Sequence, residues 1–371
     1  MLIRKFRETY QTGYDDFGTM CKALLMRIPA SKSVASLVFY GNPEDNTEYS
    51  QQLEMLNEIL CSVYQDLVPP FCYVAQKPLN GGLILEVCLF ESMAGQTIAY
   101  RQLSGMRYLT IQNEDCRELI IAGYDPDDPD DTEESGESGD TFQQASAVFQ
   151  KIGAIFNREK MPVNSIIRQW NYIGDITGYS GGLQNYHQFN MARSHFYDPA
   201  VWDNGYPAAT GIGITAGGLI IRIEAIEPAS SNVKNIAINN SLQVAAHRYS
   251  ADVLAGNDRL QYAPRFERAR LLSADGHEII YYSGTAAIRG EKSMAENDVA
   301  EQTRITLENI LNLNPGQTDP VFEILVIYLK YEEDYAVVKR VLDKTVHAVS
   351  TVYVVAGLCR DELLVEIEGV G

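Results

Sequence analysis

Glu278-Ile-Ile-Tyr-Tyr-Ser-Gly284 is followed by the amphipathic run 299–313 and then by the apolar run 322–329. The same order occurs earlier in the chain: Arg117-Glu-Leu-Ile-Ile-Ala-Gly123, then 142–156, then 166–173. The two copies share an offset of 158, which sets Gln144 against Gln302, Ile152 against Ile310 and Ile166 against Ile324. A repeat of this length says more about architecture than any short motif. Helical periodicity in the middle segment and short strand-like runs on either side give the order β-α-β twice.

Working outward, residues 34–40, 73–76 and 82–90 add strand-like material to the first half, and 210–226 to the second. The expected fold is therefore α+β: two tandem domains, each a mixed sheet backed by helices. At 371 residues the chain is long enough for two cores. Asp198-Pro199 and Asn204-Gly205-Tyr206-Pro207 supply turn chemistry, so the domains are expected at 1–200 and 201–371. Between Asp125 and Asp140 stand nine acids and no base, broken by prolines and glycines, which reads as a solvated loop. The glycine an EF-hand needs at its sixth position is missing there.

Lysine and arginine total 30 against 49 acids, a net charge of −19 that opposes capture of nucleic acid or anionic membrane. A small anion would need a local cluster of arginines instead. No apolar run approaches the length of a membrane span, and the first residues carry no apolar core of signal-peptide length. A cytoplasmic protein is expected, with Cys21, Cys61, Cys72, Cys88, Cys116 and Cys359 as free thiols. Gly211-Ile-Gly213-Ile-Thr-Ala-Gly217 lacks the spacing of a dinucleotide loop and suits close strand packing. GxxxxGK[ST] and HExxH do not occur, and no metal or organic cofactor is expected.

Three stretches carry chemistry. In Asn185–Tyr197, Tyr186, Phe189, Arg193 and Phe196 share one helix face. A guanidinium among aromatics needs an anion, either an internal carboxylate or a bound one. The run Gln261-Tyr-Ala-Pro264-Arg265-Phe-Glu-Arg268-Ala-Arg270 is a second positive patch beside a proline turn, with Arg248-Tyr249 upstream; a solvated charged loop is the alternative. At the C-terminus, two strands are expected from Thr351 onward, with Glu366 and Glu368 on one face of the second. They read as solvent-facing glutamates or as an acid in a cleft with a raised pKa.

The two repeat units, with Ser283-Gly284 ending a strand, Gln302 and Asn309 in the helix and Leu364-Val-Glu-Ile-Glu368 closing the chain, resemble the Rid family of small trimeric imine deaminases. More specifically, Arg168-Gln-Trp170-Asn171-Tyr172-Ile173-Gly-Asp175, Asn185-Tyr186…Phe189-Asn190…Arg193 and Tyr206-Pro-Ala-Ala209 resemble the chorismatases. Gln243-Val244, Arg248-Tyr249, Tyr262-Ala-Pro264-Arg265, Ser283-Gly-Thr285-Ala286 and Cys359-Arg360…Leu364-Val-Glu366 continue that match in order, over roughly residues 115 to 371.

The resemblance implies two tandem Rid-like, chorismate-mutase-like domains that hydrolyse the enolpyruvyl ether of chorismate. It implies Glu366 as the proton donor to the enolpyruvyl methylene, with Arg193 and Arg265 holding the dianionic substrate. Tyr206 and Asn190 would position it, while Cys359 and Ala286 would bear on the product: a hydroxybenzoate, with 3-hydroxybenzoate favoured, or a dihydrodiol. Glu368, three residues from the end of the sequence, is expected to lie nearer solvent and to be dispensable. A monomer or weak oligomer is expected. The Rid arginine that binds a substrate carboxylate should fall near Ser350, where no arginine stands. Imine deamination is thus the second reading, and anion binding without turnover the third.

Overall fold

A computed structural model describes residues 4–123, 139–250, 262–274, 276–314 and 320–371. Strand β1 (Lys5–Gln11), helix α1 (Phe17–Leu25), β2 (Ser33–Gly41), α2 (Asn46–Tyr64), β3 (Phe71–Ala75) and β4 (Ile84–Phe90) build a first unit around a sheet of order β3-β2-β4-β1. A second unit holds β5 (Thr97–Leu103), β6 (Met106–Gln112), β7 (Cys116–Ala122), α3 (Thr141–Glu159), β8 (Ile166–Gly174), the hairpin β9 (Tyr179–Ser180) and β10 (Leu183–Gln184), α4 (Asn185–Tyr197), β11 (Ala208–Ile214) and β12 (Leu219–Pro228). Its sheet runs β11-β8-β12-β7-β6-β5. The third holds β13 (Lys234–Ile238), β14 (Ala269–Ala274), β15 (His277–Ala286), the hairpin β16 (Ile288–Arg289) and β17 (Lys292–Ser293), α5 (Val299–Leu311), β18 (Val321–Leu329), α6 (Tyr335–Thr345), β19 (His347–Val355) and β20 (Val365–Val370). Its order is β19-β18-β20-β15-β14-β13.

The second and third sheets have one topology, and the first is that topology without its two leading strands. Each contains a single parallel pair, β2/β3, β8/β11 or β18/β19, joined by a helical crossover as parallel neighbours require. The α+β fold with mixed sheets backed by helices is thus present in three units, not two. The sheet also does not change at residue 200: β11 and β12 pair with β8 and β7, so the change falls between Pro228 and Lys234. The turn at Gly205 (φ +80°) is real, but it returns the chain from α4 to its own sheet.

Local chemistry explains the elements. Asp16, Asp45, Asp140 and Asp298 cap α1, α2, α3 and α5 by accepting a backbone N–H three residues on, and at α3 Gln143 reciprocates. Of the acidic run 125–140, only Gly139 and Asp140 lie within the described residues. The inner faces of the three sheets share one apolar cluster, in which Val38, Trp170, Val326 and Val354 meet. Helices α3 and α4 cover the outer face of the second sheet, and α5 and α6 that of the third. Strands covered on both faces, such as β2, β4 and β18, accordingly read as nearly continuous apolar runs.

At the centre the units meet in equivalent positions. Tyr40, Tyr172 and Tyr328 each sit beside a β-branched residue on the parallel strand, Val74, Ile212 and Val354, and they lie close enough for Tyr172 and Tyr328 to help raise the Tyr40 phenol above its usual pKa, after burial itself. On the antiparallel side they face Ile84, Ile220 and Glu366. Two residues further along, Val38, Trp170 and Val326 face Glu86, Arg222 and Glu368. This second layer is ionic and buried: Arg222 pairs with Glu86 and Arg168 with Glu368, both guanidiniums lying against the Trp170 ring. Nearby, Lys5 bridges Glu118 and Glu224, and Arg7 also binds Glu224. Burial alone would raise the Glu224 pKa; Lys5, Arg7 and Arg222 hold it well below the usual carboxylate range.

Candidate active site

A cleft of about 640 Å³ opens where the second and third units meet. Helix α4 and β11 supply one wall through Tyr186, Arg193, Ala209 and Gly211. The other wall comes from the third unit: Phe266, Arg268, Gly284, Ala286, Cys359, Arg360 and Glu366. Where β11 passes the β19–β20 connection the backbones touch, since a Cβ on Gly213 would stand 2.8 Å from the Gly357 Cα. That close approach is what the glycine-rich stretch is for, and no dinucleotide loop is built there.

Glu366 and Glu368 both project from β20 and both are buried, at 4% and 3% exposure, but their surroundings differ. Glu368 accepts hydrogen bonds from Arg168 (2.6 Å), the Trp170 indole (3.0 Å), the Tyr328 hydroxyl (2.9 Å) and Thr210. The expectation that it lies nearer solvent is therefore incorrect: β20 is paired on both edges, and the last strand of the sequence lies inside its sheet. Glu366 has no hydrogen-bond partner among the described residues and lines the cleft. Burial first, then the charge of Glu368, push its pKa up to about 8, against the pull of Arg268 and Arg168. At neutral pH it carries a proton it can give away.

The carboxyl of Glu366 rests against Gly284, where an added Cβ would come within 2.1 Å of its Oε1. A register shift in the β15/β20 ladder between Tyr282 and Thr285 makes that space, and the Gly284 N–H is tied to Thr210 Oγ1 at 2.9 Å. A bulge beside a reacting group is a common way of aiming a side chain. Thr210 also binds Glu368, so the glutamate pair and the strand junction share one support.

Arg193 is 2% exposed and has no carboxylate partner among the described residues. Its Nη2 donates to Asn190 Oδ1 at 2.5 Å, its guanidinium lies over Phe189, and its Nε has no hydrogen-bond partner. Burial lowers its pKa from the usual arginine value, opposed by Tyr186 and Tyr197. Among the described residues no internal carboxylate, one of the two readings of this arginine, pairs with it.

Arg265 lies outside this wall. It binds Asp198 and the Ser194 carbonyl and leans on Tyr206. In the irregular run that leads into β14, Pro264, Phe266 and Arg268 line the cleft, whereas Arg265 and Glu267 do not. Arg268 takes the place expected of Arg265. It donates to the Val244 carbonyl and the Tyr249 hydroxyl, and its Nε has no hydrogen-bond partner. Arg360, held by the Glu291 carbonyl and Ser293 Oγ, is a further cation on the rim.

Asn190 reaches the site through Arg193. Tyr206 stacks on Tyr197 and packs at a tilt against Trp202 behind the wall. Ala286 lines the cleft directly opposite Glu366 in the β15/β20 ladder. Cys359 also lines it, its thiol pushed up to about 12 by burial and then by the Glu366 charge, so it is a neutral group at pH 7. Tyr186, Tyr249 and His187 also line the cleft, and nothing in the sequence marked His187. Among the described residues no cluster of His, Cys, Asp and Glu has the makings of a metal site.

Residues 131–225 match a family model described as chorismatase FkbO/Hyg5-like, N-terminal. A 3-hydroxybenzoate synthase of Streptomyces hygroscopicus is 30% identical over 233 residues, 57% of this chain and 65% of that protein. A chorismatase of Streptomyces rapamycinicus is 32% identical over 226 residues, 56% of this chain and 64% of that protein. The matches thus span just under two thirds of these relatives' own length. A chorismatase crystal structure superposes with a TM-score of 0.71 at 21% identity, covering 99% of this chain and 98% of that one. The fold is thus shared end to end with a chorismatase structure, and the second unit and its neighbouring stretches are similar in sequence to chorismatases.

Proposed function

We propose that the cleft hydrolyses the enolpyruvyl ether of chorismate, releasing pyruvate. The observation that carries this reading is a buried, unpartnered Glu366, protonated at neutral pH, in one cleft with Arg193 and Arg268, which have no internal counter-ions among the described residues. Chorismate bears two carboxylates, and arginine forks suit them through charge-assisted, often bidentate hydrogen bonds. Glu366 delivers its proton to the enolpyruvyl methylene carbon, leaving positive charge shared between the ether carbon and oxygen. Glu366 is then a carboxylate beside that charge. Water adds to the carbon, and the hemiketal collapses to pyruvate and the ring alcohol. An acid with a pKa near the working pH is the efficient donor for such a step.

The cofactor-free character follows from this chemistry, which asks only for a proton, a water and anion holding. Product identity is the finer reading. Cys359, which lines the cleft, favours carrying the ring on, with loss of water, to 3-hydroxybenzoate, the product named in one relative, while Ala286 is compatible with either product. Three sheets closing on one another within the chain support a monomer or weak oligomer. Six unpaired thiols, with no described helix long and apolar enough to cross a membrane, support the cytoplasm.

The test is incubation of purified protein with chorismate and identification of products by mass. Pyruvate with a hydroxybenzoate or dihydrodiol is expected. Ammonia release from an imino acid with no pyruvate from chorismate would replace this reading with deamination.

A further inference from the structure

The three units meet through equivalent strands, and each parallel edge strand places one residue level with the buried ionic layer. Beside Val38, Trp170 and Val326 these residues are Cys72, Thr210 and Val352. Of the three, only the one on β11, the strand that walls the cleft, carries a hydroxyl. Thr210 is buried, and its hydroxyl donates to Glu368 while accepting from Arg168 Nη2 (2.7 Å) and the Gly284 N–H (2.9 Å). A hydroxyl has one hydrogen and two lone pairs, so this one has no capacity to spare. The Gly284 N–H it captures is a backbone donor beside the acid, for Glu366 Oε1 fills the space that a Cβ on Gly284 would take.

We propose that Thr210 is a positioning residue for the acid: by capturing the Gly284 N–H and supporting the negative charge of Glu368, it keeps the Glu366 carboxyl in the form that can give a proton. The inference rests on Glu366 being the donor in the reaction proposed above. Two effects act in one direction. A Gly284 N–H free to turn towards Glu366 would bind the ionised carboxylate better than the neutral acid, and so favour loss of the proton. Glu368 without its hydroxyl donor would hold its charge less well, and less negative charge beside Glu366 also favours ionisation. The other groups that bear on Glu366 are Arg168 of β8, Arg268, Cys359, Tyr186 of α4 and Tyr328, opposite it on β18. Among these, Arg168 hydrogen-bonds the Thr210 side chain, and its own bond to Glu368 does not pass through the hydroxyl.

The carboxyl stretch of Glu366, followed against pH by infrared difference spectroscopy with Glu366→Gln as the blank, reads its proton directly. Thr210→Val keeps the branched shape and removes the hydroxyl. Its midpoint is expected about one pH unit below that of the unsubstituted protein, the usual size of one hydrogen bond expressed as a pKa shift. The high-pH decline in kcat for pyruvate release from chorismate should move with it while KM stays near wild type, and Thr210→Ser should restore both. A folded Thr210→Val with the wild-type midpoint, or a serine variant displaced as far as the valine one, overturns the inference and leaves Thr210 with a structural role alone. Should Thr210→Val fail to fold, Thr210→Cys, whose thiol is a weak donor and acceptor, is expected to shift the midpoint the same way, and an unmoved midpoint overturns the inference equally. A midpoint that moves as expected in a protein that makes no pyruvate from chorismate upholds the control of Glu366 by Thr210 and removes the proposed reaction instead.

Discussion

Two stretches of sixth-strand backbone, Ile220-Ile-Arg222 in β12 and Glu366-Ile-Glu368 in β20, occupy the same place in two copies of one fold. In each, the second charged position is spent on the buried ionic layer: Arg222 on Glu86, Glu368 on Arg168. At the first position the copies part. Ile220 continues an apolar wall, whereas Glu366 is a carboxyl with no hydrogen-bond partner among the described residues, and burial keeps it protonated. A buried acid is costly unless partnered or neutral, so an unpartnered one is retained where its proton is used. Position in the fold therefore does not set the state of the side chain; the donors around it do.

The largest expected effect comes from abolishing that difference. Glu366→Gln preserves size and hydrogen bonding but has no proton to give, so single-turnover pyruvate release should fall by ~10²–10⁴-fold with chorismate binding retained. Near-normal chemistry in this variant would remove the mechanism.

Next are the anion holders. Arg193→Ala and Arg268→Ala should each lower kcat/KM on the order of tenfold to a hundredfold, as expected when one charged hydrogen bond of roughly 1.5–3 kcal/mol is lost. Arg193→Lys should not restore it, because a point charge lacks the planar fork. A well-folded alanine variant with wild-type kcat/KM would mark that arginine as structural.

Glu368→Gln sharpens the comparison through pH. The proton on Glu366 is present below about pH 8 and lost above it, so the rate should decline as pH rises through that value. Removing the Glu368 charge, and leaving Arg168 unopposed, both favour the ionised form of Glu366 and so should move the decline to lower pH. The same change should lower the thermal midpoint, since one partner of a buried pair is removed. An unmoved pH profile would show that Glu368 acts on stability alone.

Smaller effects follow. Cys359→Ala should change the ratio of hydroxybenzoate to dihydrodiol more than the rate of pyruvate release, read from products by mass. Arg265→Ala breaks a partly exposed pair with Asp198 worth under about 1 kcal/mol, so kcat/KM should stay within about fivefold of wild type. A greater loss would return Arg265 to the substrate.

Much of this was legible in the chain. The repeat led to α3, α5, β8 and β18 within a few residues of where they lie, because amphipathic periodicity and strand-length apolar runs are local properties. The aromatic face holding Arg193 was legible for the same reason. The first unit was missed as a repeat because it lacks the two leading strands and its resemblance to the others lies in pairing order, not in residue identity. Arg265 was preferred over Arg268 through the resemblance of Tyr262-Ala-Pro264-Arg265, and the irregular run around it has no period from which its facing could be read.

By itself, the sequence determined the alternation that puts Glu366 and Glu368 on one face, the helix faces, the turn at Gly205 and the surplus of acid that makes each unpaired arginine conspicuous. Which glutamate is satisfied inside the fold was decided only in three dimensions. Glu368 is satisfied by Arg168 and Trp170, about two hundred positions away, and by Thr210 and Tyr328, while Glu366 receives no such donor among the described residues. Strand period is a property of neighbouring residues, but desolvation and hydrogen-bond supply depend on what the rest of the fold brings alongside.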